Sequence, residues 1–244
     1  MREDSFHFRQ FTIQQEKCAM KVGTDAVLLG SWIKASSSRK ILDIGTGCGV
    51  IALMLAQKSP ARIDAIDIDA GAVEQAERNF SESPWADRLT ARCISFQSLA
   101  AHGHPYDLIV TNPPYFHHAP KPAVESRVNA RHNEMLKFDE LIDGALLLLR
   151  PDGRFCLILP VKEAKEFIEK SQRRHLFCNH LVRVLTKAGR PAKRFIMEFG
   201  FELCPVTEDE IIIHEEDGSF TKQYIELTKD YYIQLKSAPV DTQK

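Results

Sequence analysis

The 244-residue chain has no apolar run of bilayer length; a stretch such as 145–149 falls far short of the roughly 20 residues a spanning helix needs. Its first ten residues, MREDSFHFRQ, mix charges of both signs and carry no apolar segment of the kind a signal peptide requires. Cysteines at metal or redox spacing are also missing. Cys18, Cys48, Cys93, Cys156, Cys178 and Cys204 are scattered without a C-x-x-C pair. That spacing excludes a zinc framework and predicts free thiols in a reducing cytoplasm, with no metal. Internal repeats and low-complexity tracts are absent. Nor is there an excess of one charge: 32 Lys and Arg face 33 Asp and Glu. Bulk electrostatics therefore announce neither a nucleic-acid binder nor a membrane-surface protein.

The distribution of charge says more than its sum. Between residues 171 and 197 lie seven cations (Arg173, Arg174, Arg183, Lys187, Arg190, Lys193, Arg194) and no acid. From 198 to 217 the balance reverses. A local basic stretch is the footprint a polyanion would need, although solvated helix and strand ends give the same composition.

Hydropathy patterning predicts an α/β protein. An apolar helix is expected over 26–33, capped by Thr24-Asp25, and a polar Ser run at 36–38 follows. Short β-branched strands are expected at 40–44, 62–68, 90–94, 106–111, 154–159, 181–185 and 194–201. Helices are expected at 49–57, 70–80, 133–150 and 161–174, with a turn at Pro151-Asp152-Gly153. Apolar strands alternating with helices call for a doubly wound, Rossmann-like parallel sheet, which binds its ligands at the carboxyl ends of the strands.

Two constellations fall at those ends. The first is Asp43-Ile44-Gly45-Thr46-Gly47-Cys48-Gly49. Its glycines permit a tight turn and close approach of a ligand to the backbone. The third glycine comes one residue too early for a dinucleotide fingerprint, and no Lys-Ser or Lys-Thr follows to make a P-loop. An NAD-linked dehydrogenase fails on that spacing. Asp43, two residues before the first glycine, suits a ligand with a cationic group. Asp67, at the end of the second strand, is placed to accept ribose hydroxyls, and Asp69 to cap the next helix.

The second constellation is Asn112-Pro113-Pro114-Tyr115, closing the strand at 106–111. Two prolines remove backbone donors and stiffen the corner. The Asn112 side-chain oxygen and the Pro113 carbonyl then form an acceptor pair that matches the two N–H groups of a planar amine such as adenine N6. Tyr115 is available to stack on the base. His117 and His118 read as loop polarity, and Trp32 and Trp85 as packing residues.

These residues resemble the class I methyltransferases of the N6-adenine and N5-glutamine type, which carry D-x-G-x-G-x-G and N-P-P-Y. More narrowly, the chain is similar to the bacterial tRNA1(Val) adenine-N6 methyltransferase family. The likeness lies in Phe8-Arg9-Gln10-Phe11, in Cys18-Ala19-Met20-Lys21-Val22-Gly23-Thr24-Asp25 with Leu28-Leu29-Gly30-Ser31-Trp32, and in Ser83-Pro84-Trp85-Ala86, and it extends to Arg190 and Arg194. The resemblance implies a seven-stranded sheet with its last strand antiparallel, S-adenosylmethionine as donor, and tRNA as substrate. It also implies that Lys21, Thr24 and Asp25 lie over the donor pocket, so that residues 1–34 form an N-terminal cap segment on a methyltransferase domain at 35–244. After the third strand the family has an acid near the donor's adenine, and Ser95 stands at that position. Oligomeric state is left open.

The long polar loop at 116–132 begins at the N-P-P-Y motif and carries Lys121, Arg127 and Arg131. With Arg190 and Arg194 it is expected to contact RNA. The rival readings are an N5-glutamine protein methyltransferase, another RNA or DNA amino-methyltransferase with the same corner, and a non-catalytic nucleotide-binding module.

Overall fold

The computed structural model describes residues 5–18, 20–113 and 137–233. A hairpin of β1 (Ser5–His7) and β2 (Thr12–Gln14) leads into helix α1 (Thr24–Trp32). Strand and helix then alternate through β3 (Lys40–Ile44), α2 (Val50–Lys58), β4 (Arg62–Asp67), α3 (Ala70–Ser81), β5 (Leu89–Cys93), α4 (Phe96–His102) and β6 (Tyr106–Thr111). Beyond residue 136 come α5 (Phe138–Leu148), β7 (Leu149–Pro160) and α6 (Val161–Gln172). The described chain closes with β8 (Phe177–Lys187), β9 (Arg194–Gly200), β10 (Thr207–His214) and α7 (Lys222–Thr228).

Eight of the strands form one sheet in the order β10-β8-β9-β7-β6-β3-β4-β5. Only β9 runs antiparallel to its neighbours. The carboxyl ends of β3, β4, β6, β7, β8 and β10 therefore share one edge with the start of β9. The strands alternate as a sheet buried on both faces demands. Ile41, Leu108, Val110, Cys156 and Ile158 point into the core under α1, α2 and α3. Leu42, Ile44, Ile109, Leu157 and Leu159 point into the opposite core with α4, α5 and α6.

The doubly wound class expected from the sequence is what the chain forms, and three of its departures from the expected elements matter here. Among the described residues the sheet has eight strands and the antiparallel one, β9, is the last but one, where the family likeness implied seven with the last antiparallel, because β10 adds to the edge parallel to β8. Its acidic first half is stabilised there by the basic strand beside it: Arg183 meets Glu208 at 3.0 Å and His180 meets Asp209 at 2.6 Å. Second, α5 ends at Leu148 and β7 begins at once. Pro151-Asp152-Gly153 then falls in a register slip of β7 against Tyr106 and Leu108 of β6, not in a helix-closing turn. Third, α1 starts at Thr24 with Gly23 in the cap position and no side-chain cap bond, so Thr24 is inside the helix.

The N-terminal hairpin is tied to α3 by buried amides. Asn79 accepts from the Gln14 amide at 2.9 Å and donates to the Gln14 carbonyl at 2.8 Å, as a neighbouring strand would. Its amide also donates to the Cys48 carbonyl at 2.8 Å. One side chain thus fixes the N-terminal segment and the glycine turn together.

Candidate active site

The turn after β3 uses three glycines in the left-handed region: Gly45 at φ 68°, Gly47 at 55° and Gly49 at 83°. An L side chain at such angles costs roughly 1–2 kcal/mol before any contact is counted. The three then differ. A Cβ on Gly49 would lie 2.5 Å from Phe80 of α3, so this glycine lets the turn pack on the helix. A Cβ on Gly45 or Gly47 would meet nothing within 4 Å. Those two line an open cradle. The Gly45 and Thr46 amides donate to the Ile66 carbonyl at 2.9 and 3.0 Å, which holds the cradle against the end of β4.

Both acids expected here converge on this turn. Asp67, ending β4, accepts from the Gly47 amide at 3.0 Å through Oδ2 and from the Asp69 amide at 3.0 Å through Oδ1. Asp69 caps α3 as expected, accepting from the Gly71 amide at 2.8 Å. Asp43 is 1% exposed. Its Oδ2 accepts the Thr46 hydroxyl at 2.7 Å, while Oδ1 is buried with no partner among the described residues. Burial pushes the Asp43 carboxyl up to about 7, against the pull of the Thr46 hydroxyl.

That shift has a sign that can be measured. The folded chain holds this proton more tightly than an unfolded carboxyl at 3.8 does, so the stabilisation is complete below 3.8 and is lost as pH rises through about 7. Thermal melts of the ligand-free protein across that window should fall more steeply for the native chain than for Asp43→Asn. Parallel curves would show that Asp43 is ionised throughout.

The Asn112-Pro113 corner leaves the adjacent strand at the same level. Ile44 of β3 pairs with Thr111 of β6, and Asp43 with Val110. Thr111, fully buried, donates its hydroxyl to the Ile44 carbonyl at 2.9 Å. Gly45 and Asn112 are thus the next residues of two strands set roughly 4.8 Å apart. Pro113 is buried and Asn112 is half-buried. Pro114, Tyr115, His117, His118, Lys121, Arg127 and Arg131 lie outside the described residues.

Other expected residues are distributed less simply. Ser95 caps α4, its hydroxyl accepting from the Ser98 amide at 3.2 Å. Asp25, expected at the donor, and Arg194, expected on RNA, form an ion pair at 2.8 Å. Lys21 is exposed on the segment leading to α1. The basic stretch splits in two. Arg173 and Arg174 follow α6 at the end of the sheet away from the glycine turn, where Arg174 pairs with Asp139 and Asp143 of α5. Arg190 and Lys193 lie exposed in the β8–β9 connection, on the edge that carries the site. Trp85 packs edge-on against Phe11 and Trp32 against His180, consistent with packing roles.

Residues 18–176 match the family model "Methyltransferase small domain". The tRNA1(Val) (adenine(37)-N6)-methyltransferase of Bacteroides fragilis is 39% identical over 237 residues, which cover 96% of this chain and all of that protein. The proteins of that name from Trichodesmium erythraeum and Aeromonas hydrophila are each 41% identical over 96% of this chain and 99% of their own length. The chain belongs to the tRNA1(Val) (adenine(37)-N6)-methyltransferase family. Solved structures agree on the fold alone. A predicted O-methyltransferase from Agrobacterium tumefaciens superposes with a TM-score of 0.66 at 18% identity, covering 88% of this chain and all of that one. TrmN from Thermus thermophilus gives 0.53 at 22% identity, covering 72% of this chain and 47% of that one.

As a member of this methyltransferase family the chain takes its methyl group from S-adenosylmethionine, and the residues present fit that donor. The Gly45–Gly47 cradle leaves room against the backbone. Asp43 offers a buried carboxylate oxygen without a partner among the described residues, and the Asp67 carboxylate stands at the tip of β4. Lone-pair capacity remains on both Asp67 oxygens after their backbone bonds. Three residues that support the site were not singled out from the sequence: Thr46, Thr111 and Asn79. Gln75 and Asn79 are polar and four residues apart on α3, yet both are buried. A polar i, i+4 pair among the apolar positions of a helix was the available signal.

Proposed function

We propose that this protein transfers a methyl group from S-adenosylmethionine to the exocyclic N6 amine of an adenine beside the anticodon of tRNA1(Val), in the cytoplasm. The observation that carries the reading is the pairing of Ile44 with Thr111, which sets the glycine cradle and the Asn112 corner on adjacent strand ends. In this reading Asp43, Gly45, Gly47, Gly49, Asp67 and Ser95 line the donor site. Residues 1–34, with Lys21, Thr24 and Asp25, cap it, a placement supported by the Asn79 bonds to Gln14 and Cys48.

When bound, S-adenosylmethionine supplies an electrophilic methyl group on a sulfonium. The chain's own part is positioning and charge. Asn112 Oδ1 and the Pro113 carbonyl accept the two amine protons, which turns the nitrogen lone pair toward the cradle. Both acceptors stabilise the positive charge that grows on nitrogen as the N–C bond forms and the S–C bond breaks. No strong base is needed, because the methylated amine gives up its extra proton to solvent. Pro114 holds the corner, Tyr115 stacks on the base, and Arg127, Arg131, Arg190 and Arg194 hold RNA phosphates.

Purified protein incubated with methyl-labelled donor and a tRNA1(Val) transcript should place the label in N6-methyladenosine after nucleoside digestion. A release-factor substrate offered beside it should stay unlabelled. Label on a glutamine amide, with none on tRNA, would replace this reading with the N5-glutamine one.

A further inference from the structure

Two of the six cysteines meet where the N-terminal segment crosses the glycine turn. Cys48 stands inside that turn, between Gly47 and Gly49, and is buried. Cys18 is half-buried and packs against the core cluster that includes Cys48. Side chains of α3 hold the two segments together. Asn79 Nδ2 donates to the carbonyls of Gln14 and Cys48, each at 2.8 Å. One turn earlier, Gln75 accepts from the Lys17 amide at 3.3 Å. The Lys17 carbonyl lies 3.6 Å from where a Cβ on Gly71 would stand, so Cys18 follows beside the first turn of α3. Asp67 and Asp69, which lead into that turn, both act on the Cys18 thiol. Asp67 also accepts the Gly47 amide at 3.0 Å, next to Cys48. The two thiols therefore face each other at the rim of the donor cradle.

Their chemistry is unequal. The Cys48 thiol, donating toward Cys18, holds the Cys18 thiol below its ordinary value, against the opposing effects of burial, Asp67 and Asp69. The contact with Cys18, together with burial, pushes the Cys48 thiol well up. The thiolate is the reactive form of a cysteine, and access decides which oxidant reaches it. The half-exposed Cys18 is thus the attacking sulfur, and the buried Cys48 is the one placed to resolve what it forms.

We propose that Cys18 and Cys48 form a redox modification site, at which a hydroperoxide makes a disulfide that bolts the N-terminal segment to the glycine turn and closes the donor cradle. The Cys18 sulfur attacks one peroxide oxygen and the O–O bond breaks. Cys18 becomes a sulfenic acid, and the other oxygen leaves as water. The Cys48 sulfur then attacks the Cys18 sulfur, the S–O bond breaks, the S–S bond forms at about 2.05 Å, and a second water leaves. Two thiols have then given two electrons and two protons to one peroxide. With Lys17 and Cys18 fixed beside Asp67, a ribose no longer reaches that carboxylate. This consequence rests on the donor-site placement proposed above; the bond itself does not.

The test uses the full chain, reduced and then treated with hydrogen peroxide before free thiols are alkylated. Mass mapping of the unreduced digest should show Cys18 joined to Cys48. Isothermal titration should show the oxidised protein binding S-adenosylmethionine on the order of tenfold or more weakly than the reduced protein, with affinity restored by dithiothreitol. Cys18→Ser should keep after peroxide the affinity it had before, and Cys48→Ser should leave Cys18 as a sulfenic acid that dimedone captures. No joined pair, or Cys18 joined instead to Cys93 at the end of β5, would overturn the site. So would an equal loss of affinity to peroxide in the native chain and in Cys18→Ser. A mapped Cys18–Cys48 bond with donor affinity unchanged would overturn the closure. Native donor affinity in Asp67→Ala would instead unseat the donor-site placement and leave a mapped bond standing.

Discussion

Asn112→Ala should lower the rate of methyl transfer by roughly 10²–10³-fold while leaving affinity for S-adenosylmethionine within about twofold. The asymmetry follows from where the residue sits. Asn112 stands beyond the end of β6, whereas the cradle is built from β3, β4 and the glycines, with Thr111 as the hydroxyl link between the two. In the proposed mechanism, removing the side-chain oxygen removes one of two acceptors for the amine and part of the stabilisation of positive charge at the transition state. It leaves Asp43, Asp67 and the turn untouched. Isothermal titration for the donor and single-turnover methylation of tRNA separate the two quantities. Turnover at the native rate would strip Asn112 of its assigned role, and loss of donor affinity in proportion to rate would make it a scaffold residue.

Asp67→Ala should show the converse pattern, with donor affinity falling roughly 10²–10³-fold and the saturated rate falling much less. Hydrogen bonds to a charged group contribute about 1.5–3 kcal/mol each, and about 1.4 kcal/mol is a factor of ten in affinity. The carboxylate is expected to accept ribose hydroxyls, and it already holds the Gly47 and Asp69 amides. Its removal thus loosens the cradle as well as deleting a contact. Asp67→Asn separates these effects, since it keeps an acceptor for one amide and loses the charge. Titration of the donor against both variants is the measurement. Native affinity in Asp67→Ala would exclude the residue from the donor site.

The strands and turns that frame the candidate site were legible in the sequence because their signals are local. A β-branched run that ends in an acid and three spaced glycines constrains both the strand and the turn after it, and β3 occupies 40–44 as expected. The β6 boundaries at Tyr106 and Thr111 were equally legible, since Asn-Pro-Pro cannot continue a strand. Asp69 as a helix cap required only its place before the good helix formers of 70–81.

What escaped the sequence reading depends on partners distant along the chain. Strand β10 begins with Thr207-Glu208-Asp209-Glu210, a composition that argues against a strand until Arg183 and His180 on β8 are placed beside it. The same pairing explains why a run of seven cations is not one basic face. Arg174 and Arg183 are taken up by acids, and Arg173 with Arg174 sits at the far end of the sheet. Asn79 is separated by 65 residues from Gln14, so its role in joining hairpin and glycine turn has no local signature beyond its burial. Helix α4 is seven residues long, too short for its periodicity to stand out.

A crystal structure of the protein with S-adenosylmethionine bound addresses the arrangement of cradle and corner most directly. The methyl group should point from the Gly45–Gly47 turn toward the side-chain oxygen of Asn112 and the carbonyl of Pro113. A methyl directed away from those two oxygens, with the donor otherwise seated on Asp43 and Asp67, would contradict the proposed chemistry whatever family the chain belongs to.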